Sequence, residues 1–130
     1  MNVKIWIIGI IYLLLLGSCN RNKGTRLGNI LVSGKYWDIV ESNGKAIYCY
    51  KFEKKGVCYY YLYYNGVERR KFFQDDLVVN DTWRITNDGS KIWIRDRERE
   101  VIGYKNDSVF LFNTGDSSNI LLVRSKRDNP

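Results

Sequence analysis

The 130-residue chain holds no histidine and three cysteines, Cys19, Cys49 and Cys58. Without imidazole, neither a Ser-His-Asp system nor histidine-ligated zinc can be assembled. Carboxylates sit close in sequence at Asp75-Asp76 and at Asp38/Glu41. General acid–base work needs two carboxyls converging on one bond, yet adjacent strand residues point to opposite faces, and Asp75-Asp76 falls in a turn signal. Neither a glycine-rich phosphate loop nor a metal-ligand spacing occurs. The expectation is a protein without catalysis, metal or bound cofactor.

Cys49 and Cys58 flank a turn signal, Lys54-Lys55-Gly56. A two-residue loop at Lys54-Lys55 sets Lys51 opposite Cys58 and Cys49 opposite Tyr60. The two thiols then share a face on a diagonal, close to bridging distance without being ideal for it. A one-step register change, or a bulge at Gly56, alters that relation. An oxidising compartment would allow a disulfide, and two buried thiols acting as small apolar side chains are the alternative.

Cys19 stands in a different setting. Lys4 precedes an uncharged apolar run over residues 5–16, which ends at Gly17-Ser18-Cys19. As a helix, that run spans roughly 18 Å, short of the ~30 Å hydrocarbon layer of a bilayer. A positive start, a short apolar core and small residues at its end are the layout of an export signal. Leu16-Gly17-Ser18-Cys19 resembles the bacterial lipobox at all four positions. The resemblance implies cleavage between Ser18 and Cys19, diacylglycerol on the thiol, and an N-acyl chain such as palmitate on the new amine. Several chains together anchor stably where one alone is marginal. The resulting division is a signal peptide at 1–18, a lipidated tether at 19–33, a folded domain at 34–125 and a flexible tail at 126–130.

Removing the leader takes away Lys4 alone, leaving one positive charge fewer than the formal +7 of the whole chain. An exported chain has little access to nucleic acid, so anionic head groups, polysaccharide or an acidic protein suit this charge better. The basic clusters are Lys54-Lys55, Arg69-Arg70-Lys71, alternating Arg95, Arg97 and Arg99, and Arg124, Lys126 and Arg127. They read mainly as solvated faces that keep an aromatic-rich sheet in solution. Asn20-Arg21-Asn22-Lys23 after the cysteine carries no acidic run, which points to a periplasm-facing anchor in the cell envelope.

Beyond the tether, the pattern is strand, turn, strand. Strand-like segments are expected at 35–41, 46–53, 57–64, 67–73, 77–79, 82–86, 91–95, 101–104, 108–112 and 120–124, with 95–100 as a rim loop or a solvated strand end. Asn43-Gly44 and Asn65-Gly66 are strong hairpin signals, because both residue types accept positive φ. Close turn spacing favours antiparallel neighbours, and closure removes exposed edges. The fold expected is all-β: an antiparallel meander of about eight strands in a small barrel or barrel-like sandwich, after the N-terminal signal helix.

Gly34-Lys35-Tyr36-Trp37 resembles the opening motif of lipocalin-type barrels, with one extra residue. The stretches Asp81-Thr82-Trp83-Arg84-Ile85, Lys91-Ile92-Trp93-Ile94 and Asp107-Ser108-Val109-Phe110-Leu111 are similar to small lipocalin-like domains of bacterial lipoproteins. The resemblance implies that Trp37 closes the barrel floor beneath an arginine near the C-terminal end, at about Arg124. It also implies a small apolar ligand in the barrel mouth near Trp37, Trp83, Trp93 and the tyrosines. Val57, Tyr59, Tyr61 and Tyr63 share one strand face, and Cys58, Tyr60, Leu62 and Tyr64 the other. Aromatics on both faces mean that both are covered or that one is a contact surface. A protein-binding role of inhibitor or immunity type, through the basic tyrosine-rich surface, and an accessory place in an envelope complex are the competing expectations.

Overall fold

A computed structural model describes residues 23–40, 44–66, 68–71 and 80–127. The leader, Ser18, Cys19, Asp75-Asp76, Glu41 and the short strand expected at 77–79 lie outside those residues. The described chain is one helix followed by nine strands. Helix α1 is Lys23–Ser33. The strands are β1 Trp37–Val40, β2 Tyr48–Glu53, β3 Val57–Tyr64, β4 Glu68–Lys71, β5 Trp83–Ile85, β6 Lys91–Ile94, β7 Arg97–Tyr104, β8 Ser108–Asn113 and β9 Ser118–Arg124. They form one antiparallel sheet in the order β4-β3-β2-β1-β9-β8-β7-β6-β5. Apart from β1 joining β9, every neighbour in that order is also a neighbour in sequence, which makes a meander.

Turn chemistry sets the registers. Asn65 and Gly66 both take positive φ, at 52° and 75°, between β3 and β4. Arg95 and Asp96 do the same at 51° and 66° between β6 and β7, although neither is glycine. That hairpin tip is pinned from outside: Arg95 N donates to Thr82 O at 2.8 Å, and Asn80 N donates to Asp96 Oδ2 at 3.3 Å. Residues 95–100 are therefore a tight turn followed by the first half of an eight-residue strand rather than a loop.

The β2–β3 turn differs from the two-residue loop expected. Gly56 takes φ 78° as a third loop residue, and Glu53 pairs with Val57. The register shifts by one, so Cys58 faces Phe52 and Cys49 faces Tyr61. A residue and its direct antiparallel partner share a face, which puts the two cysteines on opposite faces of the sheet. Both are free and buried, so the alternative of two buried thiols describes them, and the bridge does not form.

The sheet curls into a half-barrel until the start of β5 comes against the start of β3. Near one end, Cys58 N donates to Asp81 O at 3.0 Å and Trp83 N donates to Gly56 O at 2.9 Å, with a bridge between Val57 and Thr82. Strand β3 thus lends its first half to this seam and its second half to β4. The concave side collects Trp37, Tyr50, Phe52, Cys58, Ile92, Ile94, Val109, Leu111 and Leu122.

Helix α1 was expected as part of a tether and instead belongs to this core. Leu27 and Leu31 are completely buried against the strands. Full burial of one such side chain contributes about 1.5–3 kcal/mol. Gly24 lies so close to β5 that an added Cβ would come within 2.2 Å of Thr86 O. Trp37 Nε1 donates to Leu31 O at 2.9 Å, and Arg124 Nη2 donates to Ser33 Oγ at 3.1 Å. The helix therefore closes the end of the curled sheet where β1 begins and β9 ends.

Candidate functional site

Tyrosines and cations gather on the convex side of β1–β4. Alternation places Asp38, Cys49, Lys51, Tyr59, Tyr61 and Tyr63 on that side, because their neighbours Trp37, Tyr50 and Cys58 point into the core. The pairing of Tyr61 with Lys71 and Tyr63 with Arg69 brings two more cations to the same face. The Arg69 guanidinium stacks 3.9 Å from the ring centroid of Tyr36, and Lys71 Nζ lies 4.3 Å from that of Tyr59. Tyr36 and Tyr61 meet edge to face at 5.5 Å. Exposed cation–π contacts of this kind contribute about 0.5–1 kcal/mol each. Tyr59 and Tyr61 remain half-exposed.

Beneath this layer lies a polar network. Tyr63 OH donates to Asp38 Oδ1, lies 3.1 Å from Ser125 Oγ, and accepts from Arg69 Nε at 3.3 Å. Arg69 Nη2 also donates to Ser125 Oγ at 3.1 Å and to Arg127 O at 2.6 Å. The network ties β1, β3, β4 and the segment after β9 together, and it covers Cys49. Burial pushes the Cys49 thiol up to about 11, against the lowering effect of Tyr63 and Arg69. A thiol held protonated is no nucleophile at neutral pH. Burial, and then the contact with Asp38, raise Tyr63.

The six aromatic residues expected to form one surface divide between two sides. Tyr59, Tyr61 and Tyr63 lie together on the convex face. Trp37 and Trp83 belong to the concave core under α1, Trp83 donating from Nε1 to Glu53 O at 2.9 Å. Trp93 faces outward on β6 beneath the Arg84 guanidinium, 3.9 Å from its centroid. The Arg124 guanidinium lies 5.1 Å from the Trp37 ring centroid, and the two residues pair across β1 and β9. It also donates from Nη2 to Asn106 O at 2.7 Å.

Two features were not singled out from the sequence. The convex side of β7–β9 exposes Ile102, at 64 %, and Phe110, at 46 %, with Phe110 paired to Leu121. Val101 faces the core, so alternation turns Ile102 outward, next to a bulge between Val101 and Gly103 that no sequence signal marks. An open cleft of about 750 Å³ runs between α1 and the start of β8, lined by Thr25, Arg26, Asn29, Ile30, Asn106 and Arg124. Among the described residues, no His/Cys/Asp/Glu group is arranged to hold a metal ion, and no helix is long and apolar enough to cross a membrane. No protein-family model, no curated protein and no solved structure matches the chain.

Proposed function

We propose that this chain is a membrane-tethered, non-enzymatic binding module of a bacterial cell envelope. Its anchor is a lipid on Cys19, and its partner is an acidic protein engaged through the convex tyrosine face of β1–β4. The observation that carries the partner reading is the layer of half-exposed tyrosines under Arg69 and Lys71. Tyrosine and arginine are among the side chains that most often dominate protein–protein contacts, since a phenol ring or an alkyl stem buries apolar area while the polar end stays satisfied. The positive net charge favours an acidic partner and speeds encounter. The anchor reading is supported by the spacing Leu16-Gly17-Ser18-Cys19.

The lipocalin-like label is part of the same proposal, supported by the meander order and by Arg124 over Trp37. A small apolar ligand deep beside Trp37 is the weaker reading. Leu27 and Leu31 of α1 already fill the space against that tryptophan.

Two measurements test the proposal separately. The intact mass of membrane-extracted protein should start at Cys19 with acyl chains added, and a Cys19→Ala variant should lose them; an unmodified full-length mass for both removes the anchor. Immobilised polyglutamate serves as the acidic probe for the face. Binding should weaken as salt rises, and a Tyr59→Ser/Tyr61→Ser variant should bind at least roughly tenfold more weakly, a loss of about 1.4 kcal/mol. Equal binding by both proteins removes the face.

A further inference from the structure

Arg99 occupies a position that packing alone does not explain. It stands on β7 opposite Ile92 and therefore points to the concave side, where it is only 5 % exposed. Its Nε and Nη1 have no hydrogen-bond partner among the described residues. Arginine keeps its charge under all ordinary conditions, so it cannot escape burial by releasing a proton. Buried polar atoms are nearly always paired, and an exception marks a missing water, ion or ligand.

The surroundings are basic and hydroxylic. Tyr50, itself buried, lies beside Arg99 and within reach of the charge of Arg95. The Arg95 guanidinium is 5.0 Å from the Tyr60 ring centroid. Arg97, opposite Ile94, continues the concave side of β7 towards the rim. Three carboxylates come near. Asp81 is engaged by Arg95 at 3.2 Å and Lys71 at 3.8 Å, and Asp116 is held in its own turn by Ser118. Glu98, at the edge of the same region, pairs with Lys91 at 3.4 Å. Among the described residues none of the three forms an ion pair with Arg99, although the charge of Arg99 reaches Asp116 and helps to hold that carboxyl low. An open cleft of about 390 Å³, lined by Arg97, Glu98, Asn113, Thr114, Gly115 and Asp116, lies between the start of β7 and the β8–β9 turn, away from α1.

We propose that the concave side of the sheet beside Arg99 is a binding site for an oxyanion, held by the Arg99 guanidinium and the Tyr50 hydroxyl and reached through the cleft beside Arg97. A guanidinium fork and a phenolic donor match phosphate and carboxylate oxygens. The oxyanion is either a free ion or the head of an amphiphile, whose tail would lie along the apolar residues nearby. This site is independent of the convex tyrosine face.

The test uses the full chain in nonionic detergent and reads the arginine Nε–H signals by NMR. Inorganic phosphate and octyl phosphate are titrated against chloride at matched ionic strength. One Nε–H signal, missing from an Arg99→Met variant, should shift and saturate with phosphate. Tighter binding of octyl phosphate assigns an amphiphile; equal binding assigns the free ion. Phosphate should raise the Tm of the native protein by mass action and leave that of Arg99→Met unchanged. The proposal is overturned if neither probe gives a saturable shift at about 10 mM, well above the dissociation constant of even a weak millimolar site. It is overturned equally if Arg99→Met binds as well as the native protein. Should Arg99→Met fail to fold, an Arg99→Lys variant, which keeps the charge and lacks the Nε–H signal, supplies the assignment.

Discussion

Cys49 and Cys58 show how much one residue of register decides. A two-residue turn places the thiols on one face, and the three-residue turn that Gly56 permits places them on opposite faces. Nothing in Lys54-Lys55-Gly56 separates these outcomes, because glycine suits a loop or a bulge equally well. Each thiol then meets its own environment. Cys58 lies in the apolar core beside Phe52, and burial raises its pKa. Cys49 lies under Tyr63 and Arg69, which offer it hydrogen bonds. Cys58→Ser brings a hydroxyl into apolar surroundings and should lower stability by about 1–3 kcal/mol. Cys49→Ser, whose hydroxyl has partners, should cost less; urea midpoints of the two variants give the comparison. A larger loss at Cys49 would contradict the assignment of faces. In the native protein neither thiol should react with Ellman's reagent at pH 8, and both should react after denaturation.

Helix α1 is the element that sequence reading placed wrongly, although its signal was present. Gly24, Leu27, Gly28 and Leu31 fall at the i, i+3, i+4, i+7 positions of one helical face. Half of that stripe is glycine, which adds no hydrophobicity and disfavours helix, so the segment reads as a linker. The glycines serve close approach instead. At Gly24 a Cβ would meet the Thr86 carbonyl at 2.2 Å, whereas at Gly28 it would rest 3.7 Å from the Trp83 ring. The two substitutions should therefore separate. Gly28→Ala gains helix propensity without a clash and should stabilise by about 0.5–1 kcal/mol. Gly24→Ala must push the helix off β5 and should destabilise. Opposite shifts in urea midpoint are the expected result; equal shifts would mean that α1 does not sit against β5. The charged run at 95–100 misleads in the other direction. Its arginines and glutamates alternate in and out across β7, and only the partner strands show which side is inside.

For the molecule as a whole, the antiparallel meander was legible because hairpin signals lie close together along the chain. The seam was not. It joins Gly56–Cys58 to Asp81–Trp83 through backbone groups that leave no trace in side-chain pattern. Closing that seam buries Cys58, Tyr50 and Tyr60, and the convex network covers Cys49, Tyr61 and Tyr63; all are held neutral, and together they set the pH range of the fold. Burial raises Cys49, Cys58, Tyr50, Tyr60, Tyr61 and Tyr63 above their ordinary values. For acids of this kind the folded state keeps protons that the unfolded chain releases once pH passes the ordinary value, 9.0 for the thiols and 10.0 for the phenols. The unfolded state then binds fewer protons, so stability falls as pH rises through that range. At lower pH the same groups are neutral in both states and contribute no slope. The chain has no histidine to add one near neutrality. On the acid side, hydrogen bonds from Ser90 and Thr86 hold Asp88 down to about 2, and Ser118 holds Asp116 low. Those carboxylates support the fold above the usual carboxylate range and lose that effect as pH drops through it. Tm measured against pH should therefore be flat across neutrality and fall steeply above about 9. The part of the tyrosinate absorbance that belongs to Tyr50 and Tyr60 should appear only with the loss of β-sheet circular dichroism, because these phenols ionise only as the curled sheet opens. Ionisation of every tyrosine near pH 10 with the sheet intact would mean that the burial of Tyr50 and Tyr60 is wrong, and with it the closure of the seam.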